Sequence, residues 1–456
     1  MRKKKTCYPL TRDQRCMLFC FFALKHDAMF IRRLFSVSGE CDVSALQKAF
    51  LHLVETQDAL RLRLHFGWRG FSQYAADAES FSVPVIALRD KSELDAAVQE
   101  RYGMLKNPLF GGPFCCAVIF TYNGGASLFM IFNHLCFDGY SSTLAVKLLK
   151  EYYLAYANGE VPPAQRSRYT YEAYCAECRE EDRRYDASGD KAEDLAYWRA
   201  LFREKPYVDK LLPTVSFREF CSPYGEFRTF IDGALYGSMV EFCRSRGVSV
   251  PYFLAATAAL VVKCLTGKEK ILFTASLHGR STAAQKRMIG MMSKSFPAIF
   301  DLSDAQTLAD YYVSGYLSYL EGMKHSRDIV YQILRDAGMT RDRNGERPNV
   351  DDVYFGAWEA DPEERDSVFS SESLLPSCGL SRLYLIFYDD HTDKALVSVR
   401  YQTGGYSEER VSQLVEMHRA IVASVVSHPE QTVAELVRGI AAGEAQEVPR
   451  ESTAAF

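Results

Sequence analysis

Two apolar runs of strand length, residues 114–120 (F-C-C-A-V-I-F) and 128–132 (L-F-M-I-F), flank Asn123, Gly124 and Gly125. Short β-prone runs around an Asn-Gly pair read as an antiparallel hairpin, because that pair supplies the positive backbone angles a tight turn requires. The second run leads into Asn133-His134-Leu135-Cys136-Phe137-Asp138-Gly139-Tyr140-Ser141. A strand end therefore presents an imidazole and, four residues later, a carboxylate followed by a glycine. Ser141 and Ser142 are N-cap candidates for a following helix that runs to about residue 157, where Asn158-Gly159 stops it.

The rest of the chain alternates the two periods in the same way. Apolar residues recur at helical spacing over 43–55, 252–264 and 410–427, while 59–66 and 271–277 carry strand patterns. Alternation of this kind predicts a mixed α/β (α+β) fold. At 456 residues the chain has room for more than one core. A polar stretch from Pro162-Pro163 through Glu180-Glu181-Asp182-Arg183-Arg184 to Asp190 is the best boundary. The expected division is a lobe over 1–175, a second over 176–442 and a polar tail over 443–456.

Composition removes several function classes. A formal charge of −4 draws the chain neither to nucleic acid nor to an anionic membrane, and its basic cluster, Arg2 to Lys5, reads as a solvated tail. No apolar run approaches the ~18 residues of a membrane span, and no signal peptide is expected. The 13 cysteines, odd in number and without framework spacing, suggest reduced thiols and a cytoplasmic location. Cys175 and Cys178 form a lone C-x-x-C without a second pair, so they read as two small residues on one helix, and no metal is expected.

His134 admits two readings. An imidazole titrates near neutrality and suits proton transfer, and at a strand end its ring can face a cleft. Alternatively it is a strand-end histidine bonded to backbone, with Asp138 capping the next helix. Cys136, two residues from the imidazole, reads as core filler rather than a nucleophile.

More of the chain bears on the choice. Residues 132–141 resemble the H-H-x-x-x-D-G core of nonribosomal peptide synthetase condensation domains, in the chloramphenicol acetyltransferase-like superfamily. Tyr8-Pro9-Leu10-Thr11-Arg12-Asp13-Gln14 is similar to that family's opening motif, and Val54 to Arg61 to its helix-to-strand element. Asn107 to Phe114 resembles the segment before its hairpin, and Tyr197-Trp198 a pair after its crossover. Gly279-Arg280-Ser281, Met288-Ile289-Gly290 and Phe296-Pro297 follow in order, then residues 384–401, His428-Pro429 and Val433 to Leu436, so the agreement spans nearly the whole chain.

The resemblance implies two acetyltransferase-like lobes in a V-shaped pseudo-dimer with a central tunnel, where a carrier-protein-bound acyl or aminoacyl thioester meets an amine or hydroxyl acceptor. His134 is then the chemical residue, and the Gly139 N–H a candidate oxyanion donor. Asn133, Asp138 and Arg280 support the site, with Arg280 of the second lobe the expected partner of Asp138 across the junction. Tyr140, Ser141 and Ser295 are candidates for the tunnel wall. No cofactor is expected to be bound; the substrate arrives on the phosphopantetheine of a carrier protein or on CoA. A free-standing enzyme is expected, because the chain starts with Met and ends soon after the last matching element, with an excised domain of a larger synthetase as the alternative; a monomer is expected as the default for this architecture. Asn133 departs from the family's first histidine, and Lys294-Ser295 from its Asn-Thr. Two other readings stay open: an acyl-CoA-dependent O- or N-acyltransferase of the same superfamily, and a non-catalytic recruitment module. Epimerisation is disfavoured by the glycine after Asp138, and heterocyclisation by the absent D-x-x-x-x-D.

Overall fold

A computed structural model describes residues 7–23, 29–68, 70–105, 112–162, 169–203, 222–337, 353–358, 368–376, 381–389 and 393–441. The basic cluster at 2–5, the tail at 443–456 and most of the 107–114 motif lie outside them. In chain order the elements begin with β1 (Tyr8–Pro9), α1 (Arg12–Ala23), β2 (Phe30–Ser38), α2 (Val43–Thr56), β3 (Leu62–Gly67) and β4 (Gly70–Ala75). Then come β5 (Val85–Ala87), α3 (Leu94–Leu105), β6 (Cys115–Tyr122), β7 (Gly125–Asn133), α4 (Gly139–Ala157) and α5 (Tyr171–Ala187). The second half contributes α6 (Asp190–Arg203), β8 (Tyr224–Asp232), α7 (Gly233–Arg246), α8 (Val250–Thr266), β9 (Lys270–Leu277), β10 (Lys294–Asp301) and α9 (Leu308–Lys324). It ends with α10 (Val330–Asp336), β11 (Val353–Trp358), β12 (Phe369–Leu374), β13 (Leu383–Asp389), β14 (Lys394–Gln402), α11 (Glu408–Ser427) and α12 (Val433–Ala441).

These elements fall into two compact units. One comprises Met1–Ser188 with His278–Lys294 and Asp361–Gly379; the other Gly189–Leu277, Ser295–Ala360 and Leu380–Phe456. The division near Ser188 differs from the contiguous one expected at residue 175, because α5 stays with α1: Arg12 pairs with Asp182 at 3.3 Å and Asp186 at 2.9 Å. Two short segments of the second half also join the first unit, which a boundary drawn along the sequence cannot express.

In the first unit a five-stranded sheet has the order β12-β2-β7-β6-β5, beside a small β1-β4-β3 sheet. The hairpin expected from the sequence is β6–β7, paired antiparallel from Cys115↔Phe132 to Tyr122↔Gly125. Leu128, Met130 and Phe132 of β7 join the core formed with α2 and α4, whereas Phe129 and Ile131 join Leu94, Val98 and Tyr102 of α3. Covered on both faces, β7 reads as an unbroken apolar run instead of an alternating one. The Tyr-rich stretch of α4 serves packing, since Tyr152 and Tyr153 are buried in the same core.

The second unit has a six-stranded sheet, β10-β9-β11-β13-β14-β8, packed against α8 and α11. Helix α8 is buried almost all round; Ser249 caps its start and left-handed Gly267 ends it. Among the described residues no single helix is long and apolar enough to cross a membrane.

Candidate active site

Strand β7 ends at Asn133, and a five-residue loop carries the chain into α4. Each link of that loop is tied down. The His134 N–H donates to Met29 O at 2.8 Å, and the Cys136 N–H to Asn133 O at 3.0 Å. The side chain of Asn133, 2% exposed, accepts from the Leu135 N–H at 2.9 Å, closing an Asx turn. Phe137 stacks on Phe132 with ring centroids 3.9 Å apart. Asn133 therefore shapes the turn that presents His134.

The N-cap of helix α4 lies three residues before Ser141 and four before Ser142. Its N-cap is Asp138, whose carboxylate accepts from the Ser141 N–H at 2.8 Å, and Gly139 is the first helical residue. This is the capping role the plainer sequence reading gave Asp138, but it is only part of what the carboxylate does. Oδ1 also accepts from Ser141 Oγ at 2.7 Å and Arg280 Nη2 at 3.2 Å. Oδ2 accepts from Arg280 Nη1 at 2.9 Å and from the N–H groups of Met292 and Ser293, each at 3.0 Å. Burial alone pushes the Asp138 carboxyl up; the Arg280 charge and these hydrogen bonds more than offset that and hold it below its ordinary value. A fully buried charge is tolerable here because it is paired and every lone pair is occupied.

Arg280 is equally engaged. Nη2 also donates to Ser141 Oγ, Met288 O and Gly290 O at 3.0, 3.2 and 3.1 Å, and Nη1 to His278 O at 2.9 Å. Its guanidinium lies over the Tyr140 ring, 4.4 Å from the centroid. The segment bearing Arg280 is sewn to the first unit at two further points: Ile289 N–H to Gln57 Oε1 at 2.9 Å, and Tyr171 OH to Met291 O at 2.9 Å. The Asp138–Arg280 pair thus forms inside one compact unit, correcting the expectation of a bridge between lobes.

His134 contrasts with its neighbours. The residue keeps part of its surface, yet its Nδ1 is buried without a hydrogen-bond partner among the described residues. Burial lowers its pKa, and the opposing charge of Asp138 and the nearby carbonyls of His134 and Phe137 do not overcome that. The imidazole is therefore neutral at neutral pH, free to accept a proton.

Gly139 begins a helix whose Ser141 and Ser142 N–H groups are taken by Asp138, while its own N–H has no partner among the described residues. Tyr140 is partly exposed and donates to Lys286 O at 3.0 Å. Ser141 is not a wall residue: it is fully buried, and its hydroxyl bridges Asp138, Arg280 and Gly290. Ser295 falls in the second unit, on β10, outside this network. Cys136 is buried, with Sγ 3.2 Å from Asn133 O, and burial pushes its thiol well up, which suits filler rather than a nucleophile. Sequence reasoning missed Gln14, Gln73 and the Met292–Ser293 amides. Gln14 stands in the opening motif, but a glutamine there carries no signal of where its amide points.

A family model described as "Condensation domain" matches residues 4–438. Surfactin synthase subunit 1 of Bacillus subtilis (strain 168) is 21% identical over 454 residues, covering 94% of this chain but 12% of its own length. The chain thus spans a small part of the curated relatives it matches. The starter condensation domain of rhizomide synthetase RzmA, solved as a variant with C8-CoA, superposes with a TM-score of 0.76 at 17% identity, covering 94% of this chain and 97% of that one. The X-domain from teicoplanin biosynthesis superposes with a TM-score of 0.76 at 16% identity, covering 95% and 98%. The fold of the chain is chloramphenicol acetyltransferase-like, and the chain belongs to the condensation-domain family, the amide-bond-forming, acyltransferase-type units of nonribosomal peptide synthesis.

Proposed function

We propose that this chain transfers the acyl or aminoacyl group of a carrier-protein phosphopantetheine thioester to an amine, with His134 serving the attacking nitrogen. The observation that carries the proposal is the placement of His134 at a strand end, on a loop whose other members are immobilised, with its Nδ1 unpartnered among the described residues; burial, which lowers its pKa, agrees with that. Asp138 makes no competing base, because its buried oxygens already accept six hydrogen bonds and face the Arg280 guanidinium.

The amine nitrogen attacks the thioester carbonyl, forming the C–N bond and placing negative charge on oxygen. The Gly139 N–H, at the start of α4, suits that oxyanion. The C–S bond then breaks and the pantetheine thiolate leaves. The proton lost by the amine passes to His134 and from there to the thiolate. Because a thiolate is a good leaving group, the harder task is orientation of a neutral amine, which holding both reactants in place makes easier by several kcal/mol. An alcohol acceptor would follow the same course to an ester.

The test is intact-mass detection of an acyl group leaving a loaded carrier protein when this chain and an amine are added. A parallel arm supplies the same acyl group as its CoA thioester. Carrier-dependent amide formation supports the proposal, and CoA-only turnover replaces it with a CoA-dependent acyltransferase. A thioester that decays no faster with the chain than without it, whichever amine is offered, overturns catalysis in favour of a recruitment module.

A further inference from the structure

The loop that carries His134 is held from behind by two buried glutamines. Gln14 on α1 and Gln73 on β4 are 0% and 1% exposed. Gln14 Nε2 donates to Leu135 O at 2.7 Å and to Gln73 Oε1 at 2.9 Å. Gln14 Oε1 accepts from the Thr11 N–H at 3.0 Å and from Gln73 Nε2 at 2.7 Å. Both donors and both acceptors of the amide are used, and the orientation is set chemically, since a backbone carbonyl lies on one side and a backbone N–H on the other.

We infer that Gln14 is a positioning residue for His134, acting through the Leu135 carbonyl; this rests on the role proposed for His134. Thr11 and Gln14 also form a capping box at the start of α1, with the Gln14 N–H donating to Thr11 Oγ1 at 3.1 Å. A cap alone needs only an acceptor at Gln14, which glutamate supplies equally well. The two Nε2 donors are surplus to capping, and one of them ends on the residue after His134. With the His134 N–H held by Met29 and the Leu135 N–H by Asn133, the Gln14 bond fixes the next carbonyl, so three consecutive groups of the backbone around the imidazole are immobilised. Gln73 holds the Gln14 amide in turn and is itself anchored to Pro9 O at 3.4 Å and Cys175 Sγ at 3.6 Å.

This distinction gives a test that separates capping from positioning. Gln14→Glu keeps the capping acceptor and, once its carboxyl is ionised, cannot donate to Leu135. Gln14→Leu removes both roles. The full chain, labelled at histidine Cε1, is titrated by 1H–13C correlation spectroscopy, and the His134 signal among the nine histidines is assigned by its absence in His134→Ala. Asp138 is the charged group facing the ring. A loosened loop admits water to the imidazole, so the His134 midpoint is expected to rise from its lowered value toward the ordinary ~6.5 in Gln14→Glu and Gln14→Leu, while the His418 signal stays put. If Gln14→Leu does not fold, the uncharged Gln14→Met decides in its place, because an ionised glutamate raises the midpoint through its own charge. A His134 titration identical to wild type in the folded variants overturns the inference. Because the readout needs no turnover, an inactive wild type would count against the proposed function only, and an unmoved His134 midpoint against the role of Gln14 only.

Discussion

Arg280 meets Asp138 through both carboxylate oxygens, Nη1 to Oδ2 at 2.9 Å and Nη2 to Oδ1 at 3.2 Å, with both side chains fully buried. Truncating either partner strands the other as an uncompensated charge. Asp138→Ala is expected to destabilise the chain by ~3–5 kcal/mol, read as a lower urea midpoint. Replacing both residues with apolar ones is expected to cost less than the sum of the two single changes. An Asp138→Ala midpoint equal to wild type would remove the pair from any structural role.

Gly279 precedes Arg280 with a φ of 65°, and a Cβ built there would lie 1.9 Å from Met292 O. Substitution therefore meets both left-handed strain and a backbone clash. Gly279→Ala is expected to cost at least about 1–3 kcal/mol and to reduce any acyl transfer, because the turn aims Arg280. Thermal unfolding checks the first effect and turnover at saturating substrate the second.

Much of this site was legible in the sequence because its logic is local. The hairpin and the strand-end imidazole follow from short patterns, whereas the pairing of Asp138 with Arg280, 142 residues away, was implied only by the family resemblance. The position of the helix start was not legible, because Ser141, Ser142 and Asp138 are all good caps and only the path of the loop decides among them. Ser141 looked like a wall residue because nothing in its neighbours shows that Gly290 approaches from 149 residues away. The same limit hid Gln14 and Gln73, whose bond spans 59 residues. The fold class was readable from alternating periods, but the membership of His278–Lys294 in the first unit depends on contacts with no counterpart in periodicity.

His418 on α11 is buried beneath Phe387 and bonds Leu254 O at 3.0 Å. Burial pushes its pKa down to about 4. Its folded value is thus depressed below the unfolded ~6.5, so stability is undiminished above that pH and declines as pH falls through the window from 6.5 to 4. The decline attributable to this group is about 3 kcal/mol. Urea melts at several pH values should show it, and His418→Phe, which cannot take up a proton, should flatten the slope.

The same sign applies to catalysis. Because burial lowers the His134 pKa below 6.5, the neutral form persists into mildly acid solution. After correction for the acceptor's own titration, the acid limb of kcat/KM is expected below pH 6.5. A limb at or above that value would mean that the ring is more hydrated than the loop allows or that another group is being titrated.

The most direct measurement is single-turnover release of an acyl group from a loaded carrier protein, comparing wild type with His134→Ala at equal folded concentration. The account predicts a loss of at least ~100-fold with the thermal unfolding profile retained. An alanine variant that turns over at the wild-type rate would contradict it.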